Sequence, residues 1–235
     1  MSTNKQTHIF FLVVCLVLFP DYAFTGRPPV GFEYLKLWLQ WPPSFCSLSR
    51  VACGRDPVPA EFTIHGLWPD NYSHELNYCK SNKQLSVQIE DIGEWLDKDW
   101  PDLMKQATVN PDKGFYEEQW RKHRICSSNI FTPKEYFTLG MKLKKARNLL
   151  QVFHQNEIYE SQFSSISRIN KAIKIITGRQ SPIVKCSRHP QKGSLLTEVI
   201  LCFDLKGDYF KNCTDPFGRA CPKSTNVFFP KKVIV

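Results

Sequence analysis

The chain has 235 residues and a formal net charge of +9, so it favours anionic partners: nucleic acid, cell-wall polyanions or a membrane surface. Lys5 precedes an unbroken apolar run from Ile9 to Phe19, a length that suits a secretory leader and is too short for a membrane span. No second apolar run is long enough to cross a bilayer, which excludes a membrane-spanning chain once the leader is gone.

The small residues from Ala23 to Gly26 offer the cleavage site, so the signal peptide is residues 1–26, cut between 23 and 26. About 210 residues remain, enough for one large domain or two small ones. Neither an internal repeat nor a linker divides residues 27–235, and cysteines run from end to end of them. One disulfide-bonded domain fits best.

Residues Tyr34 to Gln40 alternate, with Leu35, Leu37 and Leu39 on one face, which predicts a strand that Pro42-Pro43 stops. Glu61 to His65 is a second strand, ended by Gly66. Ser86 to Leu96 reads as a helix with Val87, Ile89, Ile92, Trp95 and Leu96 as its apolar positions, and Phe115 to Ile125 as another. Thr132-Pro133-Lys134-Glu135 is a helix start, with a Thr cap, Pro at the first position and Glu closing a capping box; that helix runs to about Phe153. Ser165 to Thr177 is a further helix, ended by Gly178, with Arg168, Lys171 and Lys174 on its wet side. Ile183 to Cys186, Glu198 to Asp204 and Val227 to Phe229 read as strands. Strands at both ends with helices between them predict an α+β fold, a central antiparallel sheet with flanking helices.

Cys15 leaves with the leader. Cys46, Cys53, Cys79, Cys126, Cys186, Cys202, Cys213 and Cys221 remain, an even number that reads as four disulfides in an oxidising, extracellular compartment. No C-x-x-C pair is present, so zinc binding is not expected, and no cofactor is expected for the chemistry described below. Spacing leaves the pairing open, although Cys46 and Cys53 can close a small loop and the group from Cys186 to Cys221 can form two nested bridges. Asn71-Tyr72-Ser73 and Asn212-Cys213-Thr214 are N-glycosylation sequons, the second with a cysteine in its middle.

Two segments carry chemistry. His65 lies in Phe62-Thr63-Ile64-His65-Gly66-Leu67-Trp68-Pro69-Asp70, and His123 in Gln119-Trp120-Arg121-Lys122-His123-Arg124-Ile125-Cys126. On an α-helix Gln119, Lys122 and His123 share one face, with Trp120 turned to the core. One face then offers a neutral hydrogen-bonder, a cation and an acid–base group, which is what a phosphodiester needs as its charge spreads. In RNA the 2′-OH is a built-in nucleophile, so two histidines suffice for proton transfer. Trp68, three residues from His65, is placed to stack on a base. His74, His154 and His189 lack such a setting and are assigned to the surface.

Ile64-His65-Gly66-Leu67-Trp68-Pro69-Asp70-Asn71 resembles the first active-site signature of the ribonuclease T2 family, and Trp120-x-Lys122-His123-x-x-Cys126 resembles the second. Phe32 to Pro42 is similar to the opening strand of its plant members. Ile175 to Gly178, Cys186-Ser187, Cys202-Phe203-Asp204 and Phe228-Phe229-Pro230 are similar to their C-terminal half. The basic charge, the cysteine layout and the Asn71 sequon most resemble the S-ribonucleases of gametophytic self-incompatibility. The resemblance implies a secreted, monomeric endoribonuclease on single-stranded RNA, with His65 as general acid, His123 as general base, Lys122 and Gln119 at the phosphate, and Trp68 and Asp70 at a base site. It implies the bridges Cys46–Cys53, Cys79–Cys126, Cys186–Cys221 and Cys202–Cys213, pollen F-box proteins as partners, and allele recognition by the stretch from His74 to Leu96.

The second signature departs from the family pattern. Arg124 stands where members usually carry glycine, and if that position holds a left-handed backbone an arginine costs about 1 kcal/mol. The competing readings are an S-like enzyme of defence or nutrient recycling, a catalytically impaired secreted RNA-binding or storage glycoprotein, which Arg124 alone supports, and a basic polyanion-binding protein.

Overall fold

The computed structural model describes residues 31–73, 76, 79, 87–106, 113–216 and 218–234, leaving aside the side chains of Arg124 and Ile125. The leader, the start of the helix expected from Ser86 and most of the stretch from His74 to Ser86 lie outside the described residues.

Strand β1 (Tyr34–Gln40) runs antiparallel between β2 (Thr63–Asp70) and β5 (Gly193–Phe203). β5 is long enough to serve several neighbours. β4 (Ile183–His189) and β6 (Phe210–Lys211) pair along the edge opposite β1. β7 (Asn226–Phe229) meets β5 at Leu195 in a parallel contact and carries β3 (Gln162–Ser165) outside it.

Every residue of β1 is buried, because both faces of the sheet are covered. Leu35, Leu37 and Leu39 belong with Ile64, Leu67, Val199 and Leu201 to the main core beneath the helices. Tyr34 and Trp38 join Ile183, Ile200 and Cys202 in a smaller cluster on the opposite face, against which Trp68 and Cys213 pack. That second face carries the site.

The helices mostly follow their caps. Pro42-Pro43 stops β1 and also starts α1 (Pro42–Leu48), since proline fits the first helical turn. α4 (Pro133–Lys145) has the full Thr132–Glu135 capping box. It ends sooner than expected: the Asn148 side chain accepts the Gln151 N–H at 3.1 Å and starts a separate α5 (Leu149–Gln155). α6 (Ile166–Ile176) is capped by Ser165, and Gly178 follows it at φ +61°, as a C-terminal glycine should. Arg168, Lys171 and Lys174 are exposed as expected.

The helix expected from Ser86 and the surface assignment of His189 need correction. Val87 and Ile89 are both buried but lie two residues apart, a period that an extended segment satisfies and a helical face does not; α2 is therefore only Gly93–Asp99. This short helix buries Gly93 and Leu96 and leaves Trp95 58% exposed. His189, assigned to the surface, is buried at the end of β4, and its Nδ1 accepts the Gln191 N–H at 3.3 Å. His154 is a surface residue, paired with Glu160 at 2.9 Å.

The four bridges are Cys46–Cys53, Cys79–Cys126, Cys186–Cys221 and Cys202–Cys213. The last two are nested and pin the C-terminal segment across β4 and β5. Among the described residues no helix is long and apolar enough to cross a membrane.

Candidate active site

β2 does not end at Gly66; it continues to Asp70, and this continuation places His65. Trp38 pairs with Gly66 and Leu39 with Ile64, so His65 is the extra residue of a β-bulge. Ile64 and Leu67 face the core although they are three positions apart, and His65 and Trp68 are likewise brought to one side. Without the bulge, strict alternation would turn His65 toward the core with Leu67. The bulge is held from the helix layer. Trp100 Nε1–H donates to the His65 carbonyl at 3.2 Å, and the Leu67 N–H donates to the Tyr136 hydroxyl at 3.1 Å.

Gly66 has a steric role. A Cβ at this position would lie 2.0 Å from Trp68 Nε1 and within 3 Å of two further indole atoms. Only glycine lets the indole lie back over the strand. There it stands 4.2 Å from the Trp38 ring centroid and 5.3 Å, edge-on, from that of His65.

His123 reaches the same indole from the other element. Its segment is not one helix: α3 (Lys113–Gln119) passes into a π-helical turn, Trp120–Arg124, and a 3₁₀ turn, Ile125–Ser127. Trp120 is buried in the core as expected. The wider turn brings His123 flat against Trp68, with centroids 4.4 Å apart and planes 18° apart, in a setting that leaves His123 only 8% exposed. Cys126 ties the end of the turn to Cys79. Arg124 lies inside this right-handed turn, so the left-handed cost expected there does not arise.

Trp38, Trp68, Pro69, Asp70, Leu76, Lys122, His123 and Arg219 line a cleft of about 200 Å³. Gln119, at the end of α3, is not part of its wall. His65 lies outside that wall too, beyond Trp68, with its side chain 39% exposed. The two histidines therefore share Trp68, one steeply inclined to its ring and one stacked on it. Asp70 is heavily engaged: Oδ2 takes the buried Lys36 ammonium at 2.5 Å, and Oδ1 accepts the N–H groups of Asn71 and Leu76. Burial alone would depress Lys36, but hydrogen bonds to Asp70 and Tyr34 carry it above its ordinary value. Asn212 is exposed at the surface, and its side-chain oxygen accepts the Ser181 N–H at 2.8 Å.

Sequence reasoning missed Glu198. From β5, two strands away, its Oε1 meets His65 Nδ1 at 2.7 Å and its Oε2 meets Lys185 Nζ at 3.1 Å. Lys185 also lies 4.5 Å from the Trp38 ring centroid. The signal was a lone carboxylate within the apolar run Leu195 to Phe203. Among the described residues no three His, Cys, Asp or Glu side chains converge to hold a metal.

The site thus sets one histidine on a strand bulge of an α+β fold and another on a helical turn, with a lysine beside it. The chain belongs to the ribonuclease T2 family: the model of that family matches residues 32–213. Ribonuclease S-2 of Antirrhinum hispanicum is 36% identical over 92% of this chain and 90% of its own length. Among solved structures, the self-incompatibility-associated SF11-RNase of Nicotiana alata superposes with a TM-score of 0.74 at 30% identity, covering 85% of this chain and 99% of its own. RNase NT in complex with 5′-AMP gives 0.72 at 29% identity, over 85% and 98%. The chain is thus a T2-type endoribonuclease of the S-ribonuclease kind.

Proposed function

We propose that the protein cleaves single-stranded RNA by transesterification, with His123 as base and His65 as acid. The observation that supports this reading is the shared indole: Trp68 neighbours both imidazoles, with His123 and Lys122 in the cleft wall and His65 just beyond it. His123 takes the proton of the 2′-OH. The 2′-oxygen forms a bond to phosphorus as the bond from phosphorus to the 5′-oxygen breaks, and His65 gives that oxygen a proton. The products are a 2′,3′-cyclic phosphate and a free 5′-OH. Water, entering with the two roles reversed, then opens the ring to a 3′-phosphate. Lys122 meets the charge that builds on the phosphate oxygens. Trp68 offers an apolar edge to a base, and Asp70 shapes that site by anchoring the chain after β2. Gln119, outside the cleft wall, has the lesser part of a hydrogen-bond donor to the phosphate.

His65→Ala and His123→Ala should each lower kcat by about 10²–10⁴-fold, and EDTA should have no effect. Wild-type rates in both variants, or loss of cleavage in EDTA, contradict the proposal.

The same proposal includes removal of residues 1–26, secretion of residues 27–235 as a monomer, glycans at Asn71 and Asn212, and rejection of pollen in the style with pollen F-box proteins as partners. It is supported by the likeness to S-ribonucleases and by the basic charge. Expression confined to the style is the observation that this role requires.

A further inference from the structure

His65 is the more exposed of the two histidines, and among the described residues no aromatic ring is stacked flat on it, so another contact must fix its ring. Trp38 and Trp68 meet it only edge-on, at 6.1 and 5.3 Å between centroids. The firm contact is with Glu198. The two residues lie on strands that flank β1, and their side chains meet over its site face at 2.7 Å. Glu198 is largely buried there, its side chain 14% exposed. A buried carboxylate persists only where it is paired and hydrogen-bonded, and Glu198 uses both oxygens: one on His65 and one on Lys185.

We propose that Glu198 is a positioning residue for the acid, its carboxylate accepting the Nδ1–H of His65 so that Nε2 is the atom turned to the leaving 5′-oxygen. The inference rests on the assignment of His65 as general acid. A carboxylate on one imidazole nitrogen selects the tautomer and orientation of the other. Lys185 keeps the carboxylate in place. It neutralises the second oxygen and packs over Trp38, so the triplet Lys185–Glu198–His65 draws on β4, β5 and β2, reaching across β1, which lies between β5 and β2. Burial would raise the Glu198 carboxyl, but the hydrogen bond to His65 and the charges of His65 and Lys185 hold it below the usual range, so it stays ionised where the enzyme works. No covalent step involves Glu198. It holds a proton on Nδ1 while the proton on Nε2 goes to the 5′-oxygen.

The test separates a positioning role from a structural one through the leaving group. A 5′-nucleoside alkoxide needs a proton to depart, whereas 4-nitrophenoxide does not. Glu198→Gln should lower kcat on a dinucleoside phosphate by about 10–100-fold, with KM within about threefold, and lower kcat on a uridine 3′-(4-nitrophenyl phosphate) by less than about threefold. His65→Ala, run in parallel, should show the same discrimination more strongly. Equal losses of Glu198→Gln on the two substrates, or no loss on either, overturn the inference while His65→Ala still discriminates. If His65→Ala itself loses equally on both, the acid assignment fails first and the inference with it. A measurement on the unaltered protein guards against a variant that does not fold. In ¹⁵N NMR the neutral His65 ring should carry its proton on Nδ1, and a proton on Nε2 would overturn the inference directly.

Discussion

The two histidines are delivered by opposite structural means. His65 sits on a strand whose backbone is gripped from the helix layer by Trp100 and Tyr136, and its imidazole is turned outward by a bulge and held by a carboxylate. His123 sits on a π-helical turn, and its imidazole is buried and stacked on an indole. The first ring is held by the Glu198 carboxylate and remains open to solvent; the second is stacked on the indole and sheltered. A group that must hand a proton to a departing oxygen needs a defined nitrogen at an open edge. The sheltered ring instead lines the cleft beside Lys122.

The largest expected effect is on the anchor of the strand arm. Asp70→Ala leaves the Lys36 ammonium buried without its partner and releases two backbone N–H groups. It should cost about 3–5 kcal/mol of stability, seen as a large fall in the denaturant midpoint. A change under about 1 kcal/mol would mean that the pair does not anchor this arm. Gly66→Ala tests the bulge and the indole together. The new methyl group cannot coexist with Trp68 where it lies, so both histidines lose their common neighbour. Activity should drop about 10²-fold, with a smaller loss of stability. Unchanged activity would show that Trp68 can move without consequence.

A pH titration of stability reads the carboxylate of the outward histidine. Glu198 is held below its ordinary 4.5, so the stability it contributes is fully present above that pH and is lost as pH falls through its lower folded value. Glu198→Gln should flatten the stability curve in that acid window and leave its shape near neutrality. An identical acid limb in the variant would contradict the pairing. The smallest effect is expected on the turn. Arg124→Gly removes a side chain next to His123 from a backbone that is already right-handed, so the fold should persist and kcat should stay equal or rise. A large loss would make Arg124 a phosphate-binding or structural residue.

Much of this arrangement was legible in the sequence where the signal is local. The alternation of Tyr34 to Gln40 specified β1, the Thr132–Glu135 box specified the start of α4, and Ser165 with the isoleucines that follow specified α6. What escaped depends on partners far along the chain. Gly66 read as a strand terminator, and only pairing with β1 shows it to be part of a bulge. The π turn breaks the i, i+3, i+4 face that grouped Gln119 with Lys122 and His123; the cleft retains Lys122 and His123 and leaves Gln119 out. Glu198 stands 133 residues from His65, and no spacing rule connects them. Resemblance supplied the cysteine pairing that spacing left open.

The central claim is that this site transfers protons to and from RNA oxygens rather than activating water at the first step. It is tested most directly by following a dinucleoside phosphate with ³¹P NMR in the presence of the purified protein. The account predicts a 2′,3′-cyclic phosphate resonance that rises first and decays slowly to a 3′-phosphate. A 5′-phosphate product, or a 3′-phosphate with no cyclic intermediate, would contradict it.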